Sequence, residues 1–245
     1  MNIIVHGSTG RMGQHLVALT EQHHTLAAAV SFDQETNAAE KKYQSLPEFD
    51  GPADLIIDFS FHTAIGAVLD YAKARKLPVI IGTTGHTPEE RAMIAEAAKE
   101  IPIFHAGNYS LGIAVLMDLA RRTAKAFPDA EVEIVEIHHD QKLDVPSGTA
   151  LMLADAVKDG HPGATYNIGR HENGKRDPKE IGIHSLRMGN VVGIHEVIIA
   201  TGTQAITLKH EAHDRKLFAE GAMATVEYIV KQPAGLYNME TMLGG

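Results

Sequence analysis

The sequence predicts an α/β chain: a Rossmann-like doubly wound parallel sheet followed by a smaller α+β domain with an open mixed sheet. Three observations predict it. Over roughly the first hundred residues, short β-branched runs alternate with stretches of helical period, the pattern of βαβ units. A glycine-rich turn, Gly7-Ser8-Thr9-Gly10-Arg11-Met12-Gly13, follows the first of these runs. Beyond Glu180 the strand-like runs follow one another with only short turns between them, which suits a partly antiparallel sheet.

In chain order, strands are expected at Asn2 to Val5, Leu26 to Val30, Leu55 to Phe59, Val79 to Ile81 and Pro102 to Phe104. Between them, Arg11 to Glu21 and Ala64 to Lys73 carry apolar residues at helical spacing. A third helix opens at Thr87-Pro88-Glu89-Glu90: Thr87 can cap, Pro88 suits the first helical position and Glu90 completes a capping box. That start makes Gly82 to His86 the turn before it. A helix from Gly112 to Ala126, a strand from Glu131 to His138 and a helix from Thr149 to Lys158 follow. The polar stretch Gly160 to Glu180 reads as a long exposed loop. Strands are then expected at Ile183 to Met188, Ile194 to Ala200 and Ile206 to His210, and a last helix at Lys216 to Val230, which Asp214 can cap.

Composition narrows the function. The 245 residues are 44% hydrophobic and 22% charged, ordinary for a globular chain. With 22 Lys and Arg against 31 Asp and Glu, the net charge of −9, 5% aromatics and no Trp argue against a nucleic-acid partner. The absence of Cys excludes disulfides, thiolate metal sites and thiol catalysis. No run reaches the ~18 to 20 apolar residues of a membrane span, and Met1-Asn2-Ile3-Ile4-Val5 reads as a strand rather than a leader, so no membrane partner and a cytoplasmic location are expected. The 15 His residues do not assemble a metal cage by spacing: His195-Glu196 and His210-Glu211 each lack the second His of a zinc-protease motif, and no metal is expected. Gly169 to Arg176 imitates a P-loop, but Arg176 stands where a magnesium-holding hydroxyl belongs, so it reads as a basic loop.

Between a strand and a helix, the Gly7 to Gly13 turn lets backbone N–H groups approach a pyrophosphate at the positive end of the helix dipole. Its GxxGxxG spacing is a variant of the usual fingerprint. The residue that reads the adenosine ribose should lie at the end of the second strand, where this chain has Ser31 and, two residues later, Asp33; NAD and NADP both remain open. Gly82-Thr83-Thr84-Gly85 and Ala106-Gly107-Asn108-Tyr109 follow the fourth and fifth strands at the same carboxyl edge and are candidates for the cofactor wall. The densest chemistry lies in His138-His139-Asp140-Gln141-Lys142-Leu143-Asp144-Val145-Pro146-Ser147-Gly148-Thr149. It places a proton donor, cations and an anion-binding helix terminus in one loop, with the N–H groups of Gly148 and Thr149 facing an incoming carboxylate.

Together these segments resemble the dihydrodipicolinate reductase (4-hydroxy-tetrahydrodipicolinate reductase) family of lysine and diaminopimelate biosynthesis. The resemblance runs nearly end to end. It includes Asp58-Phe59-Ser60, Asn108-Tyr109-Ser110-Leu111-Gly112, Ile183-His184-Ser185-Leu186-Arg187 and Val192-Gly193-Ile194-His195-Glu196 besides the turns above. It implies that residues 1–107, completed by 215–245, form a dinucleotide-binding domain, and that 108–214 bind substrate and oligomerise. It implies NADH or NADPH as cofactor, contacted by Gly7, Ser8, Thr9, Gly10, Arg11, Met12, Gly82, Thr83, Thr84, Ala106, Gly107, Asn108 and Tyr109. His138 would exchange a proton and Lys142 would be a second donor or a substrate cation. His139, Gly148 and Thr149 would bind a small dicarboxylate. It also implies a homotetramer, with which the surplus of Val191, Val192, Ile194, Val197, Ile198 and Ile199 is compatible. Ser31 departs from an acid common in relatives. Two rivals stand beside this reading: another NAD(P)-dependent oxidoreductase of a small dicarboxylate, and a non-catalytic dinucleotide sensor.

Overall fold

Runs such as Ile3-Ile4-Val5 and Leu55-Ile56-Ile57 are apolar at every position, which suits a strand covered on both faces rather than one with a wet side. All six side chains are fully buried. The computed structural model describes residues 1–244. In chain order the first part of the chain forms β1 (Asn2–His6), α1 (Arg11–His23), β2 (Thr25–Val30), β3 (Lys42–Tyr43), β4 (Leu55–Asp58) and α2 (Ile65–Arg75). It continues through β5 (Val79–Ile81), α3 (Pro88–Ala97) and β6 (Pro102–His105). The middle forms α4 (Leu111–Ala126), β7 (Glu131–His138), α5 (Gly148–Lys158), β8 (Thr165–Ile168), β9 (Glu180–Arg187), β10 (Gly193–Ala200) and β11 (Ala205–Ala212). The last part forms α6 (Lys216–Ile229), β12 (Gly235–Tyr237) and α7 (Met239–Met242).

The chain divides into two compact units: Met1–Tyr109 with the segment from Lys216 onward, and Ser110–Arg215. In the first, the strands lie in the order β12-β6-β5-β4-β1-β2-β3 and every neighbouring pair is parallel. Helices α2 and α3 cover one face through Ile65, Val68, Leu69 and Ile94, while α1 and α6 pack together on the other. Helix α3 begins with the expected capping box: Glu90 N–H donates to Thr87 Oγ1 at 3.2 Å and Thr87 N–H to Glu90 Oε2 at 2.8 Å. The strand order reverses between β1 and β4, which opens a crevice at their carboxyl ends. This is a Rossmann-like unit.

The second unit is a mixed sheet in the order β11-β10-β7-β9-β8, with α4 and α5 packed on one face. Strand β10 is antiparallel to both β7 and β11, whereas β9 is parallel to β7 and to β8. Strands β9 and β10 are therefore not hairpin neighbours, as their short connection suggests; β7 lies between them. The connection instead rounds the end of β7, where Met188 N–H donates to the His138 carbonyl at 2.9 Å and Asp140 N–H to that of Gly189 at 3.2 Å. The expected loop from Gly160 to Glu180 is also corrected, since it contains β8 and the first residue of β9. Strand β8 is a polar edge strand flanked by Gly163 and Gly169, both at positive φ, so composition hides it. Its basic stretch folds back on the sheet, with Arg170 and Arg176 paired to Glu133. Among the described residues, no helix is long and apolar enough to cross a membrane.

Candidate active site

In the first unit the glycines of the turn after β1 are dictated by backbone crowding. Gly7 lies at φ +83°, and a Cβ there would stand 2.3 Å from the Phe59 carbonyl oxygen. A Cβ on Gly13 would stand 2.0 Å from the Gly7 carbonyl oxygen. The turn is fastened to the end of β2 by Gly7 N–H and Ser8 N–H, which donate to the Val30 carbonyl at 2.8 and 3.1 Å. Gly10 is the N-cap of α1 and brings no capping side chain, which suits a helix start that receives a phosphate. The residues present thus fit a dinucleotide.

Gly7, Thr9 and Gly10 line a cavity of about 440 Å³ together with Ser31, Asp33 and the edge-to-face pair Phe32 and Phe61. Thr9 Oγ1 donates to Asp33 Oδ1 at 2.7 Å and Ser31 Oγ to the same oxygen at 2.5 Å. Those bonds, Ser31's first, hold the Asp33 carboxyl below the usual carboxylate range. Arg11 and Met12 open α1 and are not among the lining residues. Of the second candidate wall, Gly82 is needed because a Cβ would meet the Phe59 ring at 2.1 Å, and Thr84 is exposed. Thr83 is buried: its hydroxyl donates to Asp58 Oδ2 at 2.8 Å and accepts from Ser60 N–H at 2.9 Å. Asp58, 1% exposed, also binds His6 Nδ1 at 2.7 Å and Ser60 Oγ at 2.6 Å. It ties the ends of β1, β4 and β5 together. Of the third wall, Ala106 is buried and Gly107 is exposed. The Tyr109 ring is buried and its hydroxyl donates to the Ile81 carbonyl at 2.8 Å, so backbone is what this residue offers a ligand.

In the second unit cross-strand register stacks a polar layer on an apolar one. On the face of β7 under α4 and α5, Val132 and Ile134 are followed by Glu136 and His138. The register sets Val197 and Ile183 beside Ile134, but His195 and Ser185 beside Glu136 and Arg187 beside His138. Glu136 is fully buried. Its Oε2 accepts from His138 Nδ1 at 2.5 Å and Arg187 Nη1 at 2.9 Å; its Oε1 accepts from Arg187 Nη2 at 2.9 Å and Ser147 N–H at 3.1 Å. Burial alone would raise its pKa, but the bonds from His138, Arg187 and Ser147 outweigh it and hold the group well below the carboxylate range. The His195 ring lies edge-on to that of His138, with centroids 5.1 Å apart. Burial, aided by the neighbouring His138, pushes His195 down to about 3, so it is neutral. Its Nε2 meets Ser147 Oγ at 3.2 Å.

Ser147 caps α5 by accepting from Ala150 N–H at 3.2 Å, and the space a Gly148 side chain would fill is open. Lys142 Nζ lies 2.8 Å from Asp144 Oδ1, and that pairing, first among its causes, lowers the Asp144 pKa. Lys142 is thus not a lone cation. His139 Nε2 faces Arg215 Nη2 at 3.1 Å. His138, His139, Lys142, Gly148 and Thr149 all lie on the one segment that runs from the end of β7 into α5. Glu136 escapes a reading by local motif, and Arg187 and His195 lie in segments that carried the resemblance without a role, although the alternation Val132-x-Ile134-x-Glu136-x-His138 was a signal that a carboxylate shares the buried face. Among the described residues, no three His, Asp or Glu side chains group as a metal site.

Comparison with known proteins shows the family of the chain. The family model for the N-terminus of dihydrodipicolinate reductase matches residues 1–109, and that for its C-terminus matches residues 112–243. The 4-hydroxy-tetrahydrodipicolinate reductase of Caldanaerobacter subterraneus subsp. tengcongensis is 41% identical over 246 residues, covering 99% of this chain and 98% of the relative. The enzyme of the same name from Clostridium novyi is 37% identical over 98% of this chain and 97% of its own. A structure of dipicolinate-bound dihydrodipicolinate reductase from Paenisporosarcina sp. TG-14 has the same fold, with a TM-score of 0.80, 23% identity and 99% of each chain covered. With both halves matched in order and relatives aligned over their full length, the chain belongs to the dihydrodipicolinate reductase family.

Proposed function

We propose that the protein reduces 4-hydroxy-tetrahydrodipicolinate to tetrahydrodipicolinate, with loss of water and oxidation of NADH, in the cytoplasmic synthesis of lysine and diaminopimelate. One observation carries this reading beyond the family: His138, Lys142 and the capped start of α5 share a single segment at one end of the second unit's sheet. A reduced nicotinamide held in the first unit would supply the hydride that ring carbon 4 takes once water is lost. The charge this pushes into the ring is quenched by a proton, which His138 donates. Lys142 and the N–H groups at Gly148 and Thr149 hold a substrate carboxylate and oppose the negative charge that spreads toward it; His139 assists in binding. In the first unit, Gly7 to Met12 hold the pyrophosphate, while Gly82 to Thr84 and the backbone of Ala106 to Tyr109 form the nicotinamide side.

The choice of NADH rests on the end of β2. Asp33 presents an ionised carboxylate to the cavity, and no Lys or Arg is among the residues that line it. A ribose 2′-hydroxyl can donate to that carboxylate, whereas a 2′-phosphate would meet like charge. A homotetramer built on the second unit's sheet is the matching assembly. Val135, Ile137, Ile194 and Ile198 point to the face away from α4 and α5 and are half-buried within one chain, while Val197 and Ile199 turn inward to the core.

The test is nicotinamide oxidation after adding the freshly made condensation product of pyruvate and aspartate semialdehyde. Substrate-dependent oxidation with kcat/KM at least about tenfold higher for NADH than for NADPH is expected, and Asp33→Asn should narrow that ratio. Equal or reversed rates overturn the cofactor reading. Binding of NADH without oxidation overturns the reductase reading and favours a dinucleotide sensor.

A further inference from the structure

We infer that Glu136, held by the Arg187 fork, is a positioning residue for His138: it fixes which ring nitrogen exchanges the proton and couples that ring to the start of α5. The inference rests on the proposed role of His138, but its geometry stands alone. A carboxylate of lowered pKa only accepts, so the 2.5 Å bond places the hydrogen of the pair on His138 Nδ1 and leaves Nε2 as the exchanging atom. Gly193 keeps room there, because a Cβ at that position would stand 3.1 Å from Nε2. The second oxygen of Glu136 accepts from Ser147 N–H, so one carboxylate aligns both the proton donor and the substrate-facing helix start. Arg187 binds both oxygens and reaches the Asp144 carbonyl at 2.8 Å, which anchors the intervening loop to the same group.

The fold does not ask for this charge. Val132 and Ile134 occupy the two preceding positions on the same face and pack as ordinary core. A carboxylate buried beyond them is costly unless every oxygen is bonded, and here each oxygen takes two donors. The other ionisable groups about the His138 ring are Arg187 from β9 and the neutral His195 from β10, with Lys142 and His210 acting in turn on His195. Glu136 is the one carboxylate that the ring itself bonds among the described residues. It therefore orients the ring through Nδ1, as a buried acid does for other catalytic histidines.

The experiment is Glu136→Gln in the full-length protein, with kcat, KM and the pH profile measured beside thermal unfolding. Expected is a 10- to 100-fold loss of kcat, about the scale of groups that orient a histidine. KM for NADH should stay within about twofold, since the cofactor is held by other residues, and the pH profile of kcat should change. Arg187→Lys, which keeps the charge and loses the fork, should fall about tenfold in kcat. A Glu136→Gln protein that unfolds like the parent and keeps both kcat and the pH profile overturns the inference. If that variant does not fold, Arg187→Lys and the ring-nitrogen NMR spectrum of His138 in the parent protein decide: hydrogen on Nδ1 supports the inference, and a neutral ring with hydrogen on Nε2 alone overturns it. The spectrum needs no turnover, so failure of the reductase reading and failure of this pair are told apart.

Discussion

The two units build their sites from different materials. The turn after β1 is made of backbone: its glycines are required because Phe59 and Gly7 leave no room for a Cβ. The end of β7 is made of side chains, a buried Glu136 that collects His138, Arg187 and Ser147 around one charge. A backbone site tolerates changes of side-chain chemistry but not an added carbon. A side-chain site tolerates changes of shape better than loss of a charge or a proton.

The sharpest way to break that contrast is His138→Gln, which should lower kcat about 10²- to 10⁴-fold while NADH still binds. A variant with full turnover would remove His138 from proton transfer. Next in size is Gly13→Ala, whose methyl would stand 2.0 Å from the Gly7 carbonyl oxygen and must push the turn open. A cost of about 1–3 kcal/mol is expected for such overpacking, read as NADH binding weakened roughly 10- to 100-fold by titration. Ser8→Ala in the same turn should change binding by less than about twofold, as its hydroxyl meets only Gln34 Nε2, at 3.4 Å, among the described residues. Equal effects of the two substitutions would end the claim that backbone makes this site.

The buried histidine of the second unit gives a pH signature of intermediate size. His195 titrates at about 3 in the folded chain against an ordinary 6.5. As pH falls below 6.5 the unfolded chain takes up a proton that the folded chain refuses, so stability declines toward pH 3 by at most about 1.4 kcal/mol per unit. His86 and His105, pushed down by burial, act in the same direction, and Glu136, whose value is lowered, adds its loss below 4.5. Urea midpoints between pH 7 and 5 should fall, and His195→Gln should flatten the fall; a flat parent profile contradicts the argument. Asp144→Asn, which frees Lys142 from a largely exposed partner, should lower the substrate KM about two- to fivefold.

How much could be read from sequence follows the same divide. The Gly7 to Gly13 turn, the Thr87 cap and the His138 to Thr149 segment are local, so spacing along the chain exposed them. Asp58, Glu136 and His195 gain their meaning from partners 11 to 52 residues away, brought close by strand register. On a buried strand face a Glu looks like an error of register, which is why periodicity alone passes over it. Strands β3 and β12 have only two and three residues, and β8 is polar, so none carries an apolar period. The placement of β7 between β9 and β10 escaped as well, because a short connection reads as a hairpin.

A reductase delivers a hydride to the ring of its substrate, whereas a sensor merely holds a dinucleotide. Turnover of the condensation product with NADH deuterated at carbon 4 of the nicotinamide, followed by NMR of the product, separates the two most directly. Deuterium at ring carbon 4 of tetrahydrodipicolinate, formed in step with NADH loss, is the expected result. Bound NADH with no deuterium in any product would contradict the reductase reading.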